Sequence, residues 1–326
     1  MNLRLALYEL AARHRLDDDA LAALCLRASF GEEPPKVAAC LPRVAAAIAA
    51  VLVGLGIVFG VAAQWDGLGR LGKFALLQAL VLATIAGAAA RPVTRVPAAL
   101  LGLIAIGALF AYFGQTYQTG ADTWQIFAWW ALLALPLALT ARSDLVWAPW
   151  TVVANVAAAL WVKAHTAHYW RFDAQDFTLH ALAWLVVVAL AAVLGPAGRR
   201  VTGAGNWSYR VAILLASVVV VGSALGALFA VPVAPQYGWG LAVVGVGLWA
   251  LVTPRGHDVF GLSVLALAAN VLLVAGMARW MFDRPQGNPL GLLGVPVIIL
   301  AAAGMLAASV TVVMGIERTR RSGGAQ

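Results

Sequence analysis

The residues best suited to chemistry are amides, carboxylates and aromatic rings that occur together in two short segments, each beside a long apolar stretch. The candidate binding residues are Gln64, Trp65, Asp66, Gln115, Tyr117, Gln118, Asp122 and Trp124. Side chains of these types, brought together from two loops, could line a pocket for a small molecule. Trp and Tyr also prefer the membrane interface, and amides can cap helix ends there. We favour this interfacial interpretation and keep an outer-face binding site as the alternative.

A third polar segment contains residue types that bind metals. His165 and His168 lie near Asp173 and Asp176, but no third ligand follows at a fixed spacing. A solvated loop in the headgroup zone is the simpler explanation, because the His, Tyr, Trp and Arg of this segment all suit that zone. We therefore expect no metal and no cofactor.

Catalytic motifs are missing from the sequence. No phosphate-binding loop with Lys and Ser or Thr occurs, and no serine occupies a nucleophile elbow. Asp66 and Asp122 form the one modest carboxylate pair that could serve acid–base chemistry at an interface. The sequence predicts no catalytic residues and favours a non-enzymatic protein.

The elements that position these residues are membrane helices. The chain is 63% apolar and only 11% charged, whereas about a quarter of the residues of a soluble domain are charged. Ten apolar stretches approach the roughly 20 residues that a bilayer core requires. Their approximate spans are 44–63, 74–90, 96–114, 124–140, 145–162, 178–195, 210–231, 236–253, 259–278 and 290–316. We predict an all-α, polytopic transmembrane bundle of about ten helices, in which the fourth and fifth form a tight antiparallel pair.

The membrane stretches carry no Asp, Glu, Lys or Arg near their middles. Proton pumps and ion-coupled carriers usually need such a group, so these functions are disfavoured. The embedded polar residues are chiefly Gln78, Asn155 and Asn270. We expect these amides to form hydrogen bonds between helices.

The distribution of positive charge predicts the orientation. With the N terminus in the cytoplasm, sixteen of the 22 Lys and Arg residues fall on inner segments and six on outer ones. Positive charge is retained on the cytoplasmic side. Both ends are therefore expected in the cytoplasm of a multi-pass protein. The net charge of +8 is scattered over loops and ends, which fits topology signals better than a nucleic-acid face.

The predicted organisation has three parts: a cytosolic helical segment at 1–42, the transmembrane domain at 43–316 and a basic cytosolic tail at 317–326. Residues 1–42 are predicted to form a small hairpin of two amphipathic helices, with Asp17, Asp18 and Asp19 at the start of the second. Amphipathic helices often dock onto partners. Residues 1–42 are thus a possible protein-binding segment.

Part of the chain resembles a known family. The stretch from Gly54 through Trp65 and Asp66 to Lys73 and the Gly-Gln-x-Tyr turn at residues 114–117 are similar to the bacterial membrane family catalogued as "domain of unknown function 2157". The similarity continues through Gln118, Asp122 and the helix at 129–139, so that it covers roughly residues 1–140. Gln64 replaces the expected Asn and keeps an amide. The resemblance implies a protein of the bacterial inner membrane and supplies no catalytic residues.

Three functions stay open at this level. The first is a non-enzymatic assembly, sensory or interaction subunit, which deletion of residues 1–40 should separate from a partner in a pull-down. The alternative is a carrier or binding protein for a small neutral or amphiphilic molecule, with a site at the outer face. A membrane enzyme acting on lipid-linked substrates ranks third.

We expect reporters fused to the two ends of the chain to lie in the cytoplasm, because the positive charge retains both ends there. A fluorescent protein at the C-terminal end should fluoresce, and alkaline phosphatase at the same position should be inactive. An external C-terminal end would contradict the ten-helix prediction.

Overall fold

A computed structural model describes residues 9–14, 16–27, 35–63, 67, 69–117, 122–166, 173–253, 258–283 and 290–323. This part of the chain is helical, with no strand among the described residues. The chain forms two compact units, Met1–Val53 and Gly54–Gln326. The predicted all-helical, polytopic architecture is confirmed.

The first unit contains a helical stretch at residues 9–13, helix α1 (Asp18–Arg27) and the beginning of helix α2 (Pro35–Ala63). The carboxylate of Asp17 accepts a hydrogen bond of 2.9 Å from the backbone N–H of Ala20, as expected for a helix cap. Helix α2 continues without a break past residue 42. Pro35 opens this helix, where its missing N–H costs nothing.

Eight described segments are long and apolar enough to cross a membrane. The helices of the second unit are α3 (Arg70–Ala90), α4 (Pro92–Tyr117), α5 (Thr123–Ala141), α6 (Asp144–His165), α7 (Phe177–Leu194) after a 3₁₀ turn at Ala174–Asp176, the short α8 (Arg199–Thr202), α9 (Asn206–Leu228), α10 (Gln236–Val252), α11 (Val259–Phe282) and α12 (Leu290–Gly323). Two of the ten predicted spans fall short of this length. They are the apolar part of α2, Val44–Gly56, and α10 with 17 residues.

Helix α9 is the centre of the second half of the bundle. It packs against α6, α7, α10 and α11. Its small residues permit close approach: a Cβ added to Gly240 of α10 would lie 2.6 Å from Cβ of Ala224. The indole N–H of Trp184 on α7 donates to the hydroxyl of Ser223 at 2.9 Å. Shape and a buried hydrogen bond therefore hold α9 to its neighbours.

Helices α4, α5 and α6 are joined by indole hydrogen bonds. Trp130 Nε1 donates to the carbonyl of Leu103 at 2.8 Å, and Trp150 Nε1 donates to the carbonyl of Ala131 at 2.8 Å. Each indole N–H thus has the partner that a buried Trp requires. Helices α5 and α6 correspond to the fourth and fifth predicted stretches, and they pack against each other as the predicted tight pair.

The embedded amides behave differently from one another. Asn270 of α11 exchanges hydrogen bonds of 3.0 and 3.2 Å with Ser309 of α12, so the predicted interhelical role is confirmed there. Asn155 instead donates to the carbonyl of Thr151 in its own helix at 2.8 Å. Gln78 is exposed. Helix rotation decides which amides face a neighbour.

Replacing Gly107 by Ala tests the close contact of α4 with α5. The new Cβ would lie 2.6 Å from Cε2 of Trp130, so the ring must move and its bond to Leu103 is lost. We expect Gly107→Ala to lower the free energy of unfolding by about 1–3 kcal/mol.

Gly222→Ala is the matched control, since a Cβ there meets no described atom within 4 Å. In both variants, the change from Gly to Ala also favours the helical conformation by up to about 1 kcal/mol, so this contribution is common to the two. Thermal unfolding in detergent micelles measures both. Equal stabilisation by the two changes would contradict the Trp130 contact.

Candidate functional site

The predicted outer-face residues are only partly within the described chain. Gln64, Trp65, Asp66 and Gln118 lie outside the described residues. The remaining four lie near the connection between α4 and α5, and Gln115, Tyr117 and Asp122 are exposed there while Trp124 is half-buried.

The four described residues contact different neighbouring helices. The ring of Tyr117 lies 5.7 Å from that of Phe74 on α3. Trp124 instead lies 5.7 Å from the imidazole of His165 at the end of α6, and its indole N–H points at the Asp122 carboxylate at 3.4 Å. The described contacts therefore place Tyr117 and Trp124 in separate aromatic groups. A common outer-face pocket stays a prediction.

The third polar segment, with His165, His168, Asp173 and Asp176, is also only partly described, since His168 lies outside the described residues. Nδ1 of His165 makes a 2.8 Å hydrogen bond with the carbonyl of Trp161. The carbonyl of Asp173 accepts from the buried amide of Gln236 at 2.7 Å. Among the described residues, no three His, Cys, Asp or Glu side chains come together as metal ligands would.

A groove lies between α7 and α10, with α9 as its floor. It measures about 610 Å³, within the usual range for small-molecule sites. We call it the α7–α10 groove. Its lining is almost wholly apolar and includes Ala181, Leu185, Val188, Ile213, Ala216, Val220, Ala242, Val243 and Val246.

The groove opens sideways, because several of its walls are exposed in the membrane-spanning part of the bundle. Leu185 of α7 and Val246 of α10 are 65% and 64% exposed. The lining runs from Phe177 to Ala192 along α7, which corresponds to about 22 Å at 1.5 Å per residue. One bilayer leaflet has a hydrocarbon depth of about 15 Å. The groove is long enough for an acyl chain.

The two ends of the groove differ in chemistry. At one end the rings of Phe177 and Trp239 approach to 5.9 Å. The other end is lined by Tyr209 and Leu251. This second end lies toward the connections α5–α6, α7–α9 and α10–α11. We call it the arginine-rich end, since Arg142, Arg199, Arg200 and Arg210 occur there.

A single carboxylate organises the arginine-rich end. Asp144, in the first turn of α6, accepts hydrogen bonds from the backbone N–H of Gly205 at 2.7 Å, Trp207 at 3.2 Å and Ser208 at 3.1 Å, and from the Ser208 hydroxyl. These donors form the N-terminal turn of α9. A carboxylate satisfies the free N–H groups of that turn and the positive end of the helix dipole.

The loops at this end interlock through the backbone. Trp147 Nε1 donates to the carbonyl of Thr202 at 2.9 Å, and Arg142 donates to the carbonyl of Arg200 at 2.8 Å. Gly203 has a φ of +64°, and a Cβ there would lie 2.5 Å from Cβ of Arg142. Glycine is therefore required for both its conformation and the close approach.

A smaller cleft of about 460 Å³ lies on the other side of α10, at the end opposite to the arginine-rich one. Its one cation, Arg279, makes a 2.8 Å ion pair with Asp283. Tyr237 in the same cleft donates to the carbonyl of Leu272 at 3.0 Å. Arg279 thus already has an anionic partner.

Sequence reasoning did not find the groove or its arginine-rich end. In the sequence, Asp144 ends the short connection between the fourth and fifth stretches, and Arg199 and Arg200 are two of the sixteen inner Lys and Arg residues. The groove-lining residues are ordinary Ala, Val and Leu, whose spacing gives no sign of a cavity. The one available signal was Asp144 itself, a carboxylate at a helix start beside a membrane stretch.

Asp144→Ala should destabilise the bundle, because it leaves the N–H groups of Gly205, Trp207 and Ser208 without their acceptor. We expect the free energy of unfolding to fall by about 2–4 kcal/mol. Asp144→Asn should cost less, since one oxygen still accepts. Tryptophan fluorescence during denaturation in micelles measures the change.

Asp122→Ala is the control, since this exposed carboxylate at the start of α5 makes no capping hydrogen bond. It should change stability by no more than about 0.5 kcal/mol. Similar losses for Asp144→Ala and Asp122→Ala would refute the role assigned to Asp144.

Comparison with known proteins identifies a family for the first part of the chain. No curated protein and no solved structure matches the chain. The groove, α8 and α9 all lie beyond the segment that a family matches. Residues 8–147 match the family described as "Predicted membrane protein (DUF2157)", which confirms the resemblance inferred from the sequence.

Proposed function

We propose that this protein is a non-enzymatic, multi-pass protein of the bacterial inner membrane that binds an amphiphilic molecule in the α7–α10 groove. The observation that carries the proposal is the groove itself: about 610 Å³ of apolar space, open to the side, between α7, which is long and apolar enough to cross a membrane, and the shorter apolar helix α10. Orientation with both ends in the cytoplasm is supported by the asymmetry of Lys and Arg.

The geometry favours an elongated apolar ligand over a compact polar one. The hydroxyl of Ser217, one of the few polar groups of the lining, already donates to the carbonyl of Ile213 at 2.7 Å. A polar molecule would find few free hydrogen-bond groups there. An acyl chain needs none and matches the length of the groove.

An assembly role is the second candidate, and one observation favours it. Helix α12 packs against α11, and most of its residues between 295 and 318 are exposed. Such a face could meet another membrane helix. The expected partner of residues 1–42 stays a prediction, because many side chains of that segment lie outside the described residues.

Filling the groove tests the proposed ligand site. Ala181 of α7 and Ala242 of α10 line the groove without being fully buried, so Ala181→Trp and Ala242→Trp can occupy it without disturbing the core. We expect each to lower labelling by phospholipids with a photoreactive acyl chain about tenfold, since overpacking costs about 1–3 kcal/mol.

The measurement is mass-spectrometric mapping of the labelled peptides of α7 and α10 in vesicles containing both phosphatidylcholine and phosphatidylglycerol probes. Ala307→Trp is the matched control, on the exposed side of α12. Labelling of α7 and α10 that is no higher than that of α12, or is unchanged in the groove variants, would refute the proposal.

A further inference from the structure

Apolar lining alone gives the groove little power to select a ligand. Lipid tails are as apolar as its Leu and Val side chains, so moving an acyl chain from the bilayer into the groove brings no gain in transfer free energy. Selection must come from shape or from charged groups at an end of the groove. The arginine-rich end supplies such groups.

Arg199 lies within one helical turn of the groove. Its guanidinium donates to the side-chain oxygen of Asn206 in the first turn of α9. Asn206 precedes the groove residue Tyr209 by three positions, so both share one face of the helix. The connection between α7 and α9 also approaches Tyr209 directly, since a Cβ added to Gly195 would lie 3.1 Å from the Tyr209 ring.

The carboxylates at this end are already engaged. All four contacts of Asp144 go to the start of α9. Asp258 makes a 2.9 Å ion pair with Arg210 and accepts a hydrogen bond from the N–H of Gly261 at 2.8 Å. Among the described residues, neither carboxylate forms an ion pair with Arg199 or Arg200.

Arg199 and Arg200 retain capacity for an anion. Arg199 is half-buried, and its guanidinium bonds to the neutral side-chain oxygen of Asn206, so its positive charge has no ion-pair partner among the described residues. Arg200 is exposed, and its carbonyl rather than its side chain is used by Arg142. Guanidinium groups bind phosphate through paired N–H donors.

We propose that the α7–α10 groove binds a phospholipid with a negatively charged headgroup, with the phosphate at Arg199 and Arg200 and an acyl chain along α9. This inference rests on the proposed amphiphile-binding function and names its ligand class. The predicted topology places the arginine-rich end at the cytoplasmic leaflet, where anionic lipids attract basic residues.

The size of the expected preference for an anionic lipid follows from the positive charges of Arg199 and Arg200. A Lys or Arg near an anionic membrane surface contributes about fivefold in affinity, and two contribute about 25-fold. These residues are near water, so the preference should decrease as salt concentration rises. An acyl chain without a charged headgroup would show neither effect.

The experiment compares photoreactive phosphatidylglycerol with phosphatidylcholine bearing the same acyl chains, using the full-length protein in nanodiscs. We expect phosphatidylglycerol to label α7 and α10 at least about tenfold more strongly at low salt. Arg199→Gln with Arg200→Gln should remove this preference while labelling by phosphatidylcholine persists.

The single variant Arg200→Gln keeps the Arg199–Asn206 hydrogen bond, so it remains informative if the double variant does not fold. It should reduce the preference for phosphatidylglycerol about fivefold. Arg91→Gln is the control, at the exposed end of α3 on the same side of the bundle. It should leave the preference unchanged.

Equal labelling by the two lipids, or a preference that survives Arg200→Gln and the double substitution, would overturn the anionic-lipid assignment and leave the amphiphile-binding groove standing. Absence of labelling in α7 and α10 by either lipid would overturn both. A preference lost equally in Arg91→Gln would show general surface charge instead of a site at Arg199 and Arg200.

Discussion

The carboxylate of Asp144 ties the start of α9 to the start of α6 through the backbone N–H groups of Gly205, Trp207 and Ser208. Helix N-termini leave such groups without partners, and near a membrane the cost of an unsatisfied N–H is high. The packing of α6, α7, α10 and α11 depends on these hydrogen bonds, because all four helices pack against α9.

The groove is a consequence of that central position. Helices α7 and α10 both pack on α9, and the rings of Phe177 and Trp239 approach each other at one end of the groove. In water, an apolar groove of this size would favour collapse or association. In a bilayer, lipid fills it at little cost, so no strong force closes the space between α7 and α10.

The same arginines serve orientation and local structure. Arg142 donates to a backbone carbonyl, Arg199 to an amide oxygen, and Arg210 pairs with Asp258 beneath the rings of Trp207 and Phe260 at 5.6 and 5.7 Å. Bonds to neutral oxygens hold a guanidinium in place without cancelling its charge. Positive charge is thus fixed at one end of an apolar groove, which is the combination that an anionic amphiphile requires.

Length and apolarity are properties of consecutive residues, so the sequence by itself determined the membrane class, the all-helical fold and the approximate bounds of most spans. It also determined the tight α5–α6 pair, because a connection as short as residues 142–143 leaves no other arrangement. Helices that are apolar all round carry no clear record of which side faces a neighbour. Only the tertiary structure therefore decided that Asn270 bonds across to Ser309 while Asn155 bonds within its own helix, and that Ala216 lies in a groove floor. It also decided that Asp144 and Arg199, separated by 55 positions, each bond to the start of α9. Packing of small residues and the need to satisfy buried polar groups set those rotations, and both depend on residues distant in the chain.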